Sequence, residues 1–122
     1  RPVKIENKTF ADGGLVSPVA VDAARSLGAD VIIAVDVSTG LETLQPESTI
    51  DTILQSVTIM YSRLAAVQLA RADVVIRPKV GSIASNDFSK RHEAVFEGEK
   101  AALEALPKLR AMLARLRQEE RL

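Results

Sequence analysis

Apolar and polar positions change period several times along the chain. Residues 2–11 alternate weakly through Val3, Ile5, Thr9 and Phe10, which predicts a short strand or ribbon. Asp12-Gly13-Gly14 interrupts that pattern with a strong turn signal. Pro18 then stands where a helix over 18–28 can begin, with Val19, Ala20, Ala23 and Leu27 as its apolar stripe and Gly28 placed to end it. Val31 to Val37 is nearly all apolar and rich in β-branched residues, the pattern of a strand (31–37) covered on both faces. Strand, glycine loop, helix, glycine, covered strand is the order of a βαβ unit with parallel pairing.

Ser38 to Glu47 reads as a polar connector containing Gly40 and Pro46. Ser48 or Thr49 then caps a long helix over 49–71, with Asp51 in its first turn. Its stripe, Ile50, Ile53, Leu54, Val57, Met60, Tyr61, Leu64, Ala65 and Leu69, keeps spacings of three and four throughout. A second short covered strand follows at 73–77, closed by Pro78, and Lys79 to Asn86 forms a loop with Gly81, Ser82 and Ser85. Asn86 or Asp87 caps a helix from about Phe88 to Ala105, with Phe88, Val95, Phe96 and Leu103 as its core face. Pro107 starts a second segment with Leu109, Met112, Leu113 and Leu116 on one side, so helices fill 88–118. The expected class is α/β, with a short, mainly parallel sheet whose two edges need cover.

Composition narrows the chemistry more than the fold. The 122 residues suffice for one domain, and 47% hydrophobic content excludes a disordered chain. Sixteen basic residues balance sixteen acidic ones, so there is no electrostatic footprint for nucleic acid. The charge divides mildly: residues 1–60 hold 4 basic and 8 acidic side chains, residues 61–122 hold 12 and 8. Surface helices produce such a split without any ligand. The absence of cysteine removes disulfides, thiolate nucleophiles and thiolate-bound metals, and one histidine leaves no His-rich metal site. An aromatic content of 3% gives no stacking platform for bases or sugars. The longest apolar run, Val31 to Val35, is far short of the roughly 20 residues that span a bilayer. A start at Arg1, without an initiator Met or a signal segment, suggests an excised piece of a longer protein.

Asp12-Gly13-Gly14 is the most informative tripeptide. An aspartate at the C-terminal end of a strand lies where α/β folds place ligands, and glycines after it allow positive φ and close approach. An ordinary turn carries the same residues. The surrounding sequence is more specific: Phe10-Ala11-Asp12-Gly13-Gly14-Leu15-Val16-Ser17-Pro18-Val19, then Ala24 through Gly28-Ala29-Asp30-Val31-Ile32-Ile33-Ala34-Val35-Asp36-Val37, then Ala72-Asp73-Val74-Val75-Ile76-Arg77-Pro78 and Asp87-Phe88-Ser89. In that order, from Phe10 to about Leu109, the chain resembles the C-terminal portion of bacterial patatin-like phospholipases.

The resemblance implies a partial three-layer α/β/α sandwich and a lipid acyl hydrolase working with a Ser–Asp dyad. Asp12 matches the dyad aspartate, and Gly13 and Gly14 would keep its loop open to the serine hydroxyl. A carboxylate in a dry cleft makes a better base for such a serine. The nucleophile of that family sits in a Gly-x-Ser-x-Gly elbow, which this sequence lacks; Gly81-Ser82-Ile83-Ala84-Ser85 comes nearest and does not fit. The family's glycine-rich oxyanion loop is absent too, and that donor set is usually a large part of the catalysis. The expectation is therefore a fragment that carries half of a dyad, is inactive alone, and needs the upstream half of the same domain. Membrane phospholipid or lysophospholipid would be the parent's substrate, and its location cytoplasmic or peripherally membrane-associated in a bacterium. No cofactor, metal or nucleic acid is expected.

Four other features have more modest readings. Ser17 stands where the family often has Asn, and reads as a cap for the following helix. His92 reads as a surface residue, and Asp36 caps the loop after its strand, although a strand C-terminus is also a common ligand position. Arg77-Pro78-Lys79 reads as solvated charge, with contact to anionic headgroups as the alternative. A phosphate loop of an ATPase at 35–40 lacks glycine at Val37 and Ser38. A second functional class also stands: a non-catalytic interaction module whose apolar helices form a homo-oligomer.

Overall fold

A computed structural model describes residues 2–38, 47–84 and 86–119, so the Thr39 to Pro46 part of the connector, with Gly40, and Ser85 lie outside the described residues. The described residues mix helix with short strands and contain one parallel strand pair. The chain divides into two compact units, Arg1–Ala29 with Leu41–Arg71, and Asp30–Gly40 with Ala72–Leu122.

The first unit opens with β1 (Val3–Ile5) and β2 (Lys8–Phe10), paired antiparallel with Val3 opposite Phe10 and Ile5 opposite Lys8. Of the expected strand or ribbon, the structure has the ribbon, a hairpin, and among the described residues its strands pair with each other instead of entering a βαβ unit. The two-residue turn is made by Glu6, at φ 52°, and Asn7. A left-handed glutamate is uncommon, which is why the residue types did not announce the turn. A 3₁₀ turn at Gly13–Leu15 follows, then α1 (Val21–Ser26), shorter than the expected 18–28. Gly28, at φ 94°, stops α1 where its sequence position indicated, in the left-handed conformation common just past helix ends.

The long helix, α2 (Thr49–Leu69), forms nearly as expected. Ser48 is the cap: its Oγ accepts from the Asp51 amide at 3.1 Å and donates to Asp51 Oδ2 at 2.7 Å. The stripe is covered only at its C-terminal end, where Ala65 and Leu69 are buried. Ile50, Ile53, Leu54, Val57, Met60 and Tyr61 remain exposed, against the expectation of a continuous core face. Periodicity reports where apolar side chains project, not what covers them. In this unit α1 and the loop before it cover only the C-terminal part of α2.

The second unit is built on β3 (Ile33–Val35) and β4 (Val74–Ile76), parallel with Ile33 opposite Val74 and Val35 opposite Ile76. Asp36 N donates to Ile76 O and Asp73 N to Ile32 O, extending the ladder at both ends. Ile32, Ala34 and Val74 are buried, whereas Ile33, Val35 and Val37 are exposed, so β3 is covered on one face where two were expected. Asp87 caps a 3₁₀ turn (Phe88–Lys90), accepting from the Ser89 amide, and this leads into α3 (Arg91–Gln118). The expected break at Pro107 does not occur. Proline removes one helical donor there, and the remaining bonds of a 28-residue helix carry the chain through. Contact between α3 and β4 buries Leu116 and half-buries Leu109, Met112 and Leu113, the face expected of that segment. Phe88, Val95, Phe96 and Leu103 are exposed, contrary to their expected core role. Among the described residues no helix is long and apolar enough to cross a membrane.

Candidate active site

Asp12 follows the end of β2 and starts the 3₁₀ turn, with φ −59° and ψ 127°. Its Oδ1 accepts the Gly14 amide at 2.8 Å, the side-chain-to-backbone closure aspartate makes in short turns. Main-chain bonds tighten the same loop: Leu15 N to Asp12 O, Val16 N to Gly13 O, and Ser17 N to Gly13 O at 2.8 Å. Among the described residues, Asp12 Oδ2 has no hydrogen-bond partner. The carboxylate is exposed in this chain.

The two glycines differ in their surroundings, and neither has a positive φ. A methyl group at Gly13 would meet nothing within 4 Å, so that side of the loop is open. One at Gly14 would lie 3.1 Å from Asp12 Oδ1 and 3.3 Å from Tyr61 Cε2. Gly14 is therefore wedged between the carboxylate and an aromatic ring of α2. Tyr61 joins the neighbourhood of Asp12 although its place in the sequence showed only a member of an apolar stripe.

Gln68, also on α2, was missed altogether. It is the buried polar side chain of the described residues, 6% exposed. Its Oε1 accepts the Val19 amide at 3.0 Å and its Nε2 donates to Ser17 Oγ at 3.3 Å. Ser17 is consequently a partner of Gln68 and not the expected helix cap; α1 starts from Ala20 without a side-chain cap. The available signal was a glutamine falling among Leu64, Ala65 and Leu69 on the apolar face.

Asp36 behaves as expected and does one thing more. Its Oδ1 accepts both the amide and the hydroxyl of Ser38, capping the loop, while Oδ2 accepts Arg77 Nε at 3.2 Å. Arg77 is thus paired across the C-terminal ends of β3 and β4, not simply solvated. Burial pushes the Asp36 carboxyl upward, but the Ser38 and Arg77 donors outweigh it and hold the group below the usual carboxylate range. His92 is exposed in the first turn of α3. Among the described residues no cluster of three or more His, Asp or Glu side chains could hold a metal ion. No family model matches the chain.

Proposed function

We propose that this chain supplies the dyad aspartate of a serine-dependent lipid acyl hydrolase of the patatin-like type, with Asp12 as the base. The observation that carries this reading is the Asp12 loop: one carboxylate oxygen is fixed by Gly14 N, the other has no hydrogen-bond partner among the described residues, and the space over Gly13 is open. A serine presented from the remainder of an α/β/α sandwich would give its hydroxyl proton to Asp12 as its Oγ attacks the ester carbonyl. Collapse of the tetrahedral intermediate breaks the ester bond, and the leaving alkoxide takes the proton from Asp12. Water, deprotonated by the same carboxylate, then attacks the acyl-serine and releases the fatty acid.

Two apolar surfaces fit a domain with further layers. The α2 stripe and the β3 face bearing Ile33, Val35 and Val37 are both exposed. The substrate class is phospholipid or lysophospholipid, reached at a membrane surface by peripheral association. The test is hydrolysis of a lysophospholipid and of a chromogenic ester by the natural protein containing this chain. Asp12→Asn is expected to lower kcat roughly 10²–10⁴-fold with little change in KM. Hydrolysis by the 122 residues alone, or an undiminished rate in Asp12→Asn, would overturn the assignment.

A second reading, a non-catalytic module that forms a homo-oligomer, is favoured by the surface chemistry of α2. Residues 52–62 contain no charged side chain, and Thr52, Ser56 and Thr58 turn their hydroxyls onto carbonyls four residues back. Sedimentation of the chain with and without Ile53→Lys and Met60→Lys separates the readings. Self-association lost in that pair, together with no hydrolysis by the natural protein, would favour assembly over catalysis.

A further inference from the structure

We propose that Gln68 is a positioning residue for Asp12, acting as a clamp that fixes the Asp-Gly-Gly loop on α2; the inference rests on the hydrolase reading above. The backbone accounting of the loop shows why a clamp is needed. Between the 3₁₀ turn and α1, Pro18 has no amide, and the Val19 amide has no main-chain acceptor in a regular element. Gln68 Oε1 accepts that amide, and Gln68 Nε2 holds Ser17 Oγ. Ser17 N in turn donates to Gly13 O, the carbonyl next to Asp12. A path of hydrogen bonds, the covalent frame of Ser17 and the Gly13–Gly14 peptide link therefore runs from a buried amide on a helix to the carboxylate.

The helix is shaped for this task. Tyr61, Ala65 and Gln68 lie at i, i+4 and i+7, on one face. Tyr61 flanks Gly14 and Gln68 grips residues 17 and 19, while buried Ala65 stands between them. A leucine or methionine at 68 would fill the same space but leave the part-buried Val19 amide without an acceptor. Apolar contacts are non-directional and tolerate sliding, whereas an amide bonded at both ends admits one register. Gln68 touches no reacting atom. It sets where Asp12 sits.

The experiment uses the natural protein containing this chain and compares Gln68→Met and Ser17→Ala with the parent. Amide exchange is read at Val19, at Gly14, whose N–H is held by Asp12 Oδ1, and at Asp36 and Asp73, whose ladder bonds lie in the other unit. In Gln68→Met, Val19 and Gly14 are expected to exchange at least about tenfold faster with Asp36 and Asp73 unchanged. The kcat for ester hydrolysis is expected to fall roughly 10- to 100-fold with KM held within about twofold, the signature of a misplaced base. Ser17→Ala removes only one of the two bonds and should give a smaller change in the same direction, which keeps the test decisive if Gln68→Met does not fold. Unchanged exchange at Gly14 in folded variants would overturn the proposal, as would unchanged kcat where Asp12→Asn abolishes it. If Asp12→Asn itself leaves the rate intact, the hydrolase reading fails, and Gly14 exchange still decides whether Gln68 fixes Asp12.

Discussion

The two units bury different kinds of core. In one, Ile32, Ala34 and Val74 are buried in and beside the parallel pair, α3 packs on β4 and Leu116 is buried, and among the described residues every buried side chain of that unit is apolar. In the other, the buried residues Val21, Ala65 and Leu69 are joined by a buried glutamine, Gln68. The first arrangement maximises burial and has its polar pair, Asp36 with Arg77, at the sheet's C-terminal edge. The second gives up some apolar contact to place two directional bonds where a loop must be held. An apolar core decides how firmly a unit folds. A polar group inside a core decides which of several similar packings is adopted.

The sharpest challenge to this contrast is a pair of identical truncations on α3. Leu116→Ala, at a site 8% exposed, should destabilise by about 2–3 kcal/mol in urea titrations, whereas Leu103→Ala, 65% exposed, should stay within about 0.5 kcal/mol. Equal effects would remove the claim that α3 has one packed side. A smaller effect separates the two glycines. Gly14→Ala must displace either the Asp12 carboxylate or the Tyr61 ring, and should cost about 1 kcal/mol and disturb the Gly14 amide resonance. Gly13→Ala meets open space and should be neutral or stabilising by about 0.5 kcal/mol. The smallest effect belongs to the polar pair of the sheet. Because the folded carboxyl of Asp36 lies below its unfolded value, its contribution is present above the unfolded value near pH 4 and disappears as pH falls through the folded one. Asp36→Asn should therefore lower stability at pH 7 by about 0.5–1 kcal/mol and make the loss of stability below pH 4 shallower. An acid-unfolding profile identical to that of the parent would show that the pair contributes nothing.

Legibility in the sequence followed the length of each pattern. The 49–71 stripe, running over six turns, located α2 to within two residues, and Ser48 with Asp51 located its start. Gly28 marked the end of α1, and the β-branched runs marked β3 and β4. What failed was what an unusual residue conceals or a distant neighbour decides. The sequence offered a strand or ribbon over 2–11, but the hairpin turn was hidden because Glu6 supplies the left-handed residue. The continuity of α3 was hidden because a proline usually marks a first turn, yet here sits in mid-helix. Around Asp12, the contiguous Asp-Gly-Gly was readable, but Tyr61 and Gln68 approach it from about 50 residues away, and no local rule brings them there.

The exposed stripe of α2 has a thermal consequence. Ile50, Ile53, Leu54, Val57 and Met60 are already about half or more hydrated in the native chain, so unfolding wets less of their surface than it would for a buried stripe. The heat-capacity increment on unfolding scales with newly wetted apolar area, and for this chain it should fall below the usual ~12–15 cal/mol/K per residue. A small increment flattens the curve of stability against temperature. Such a chain loses little on cooling, and covering α2 would steepen its curve.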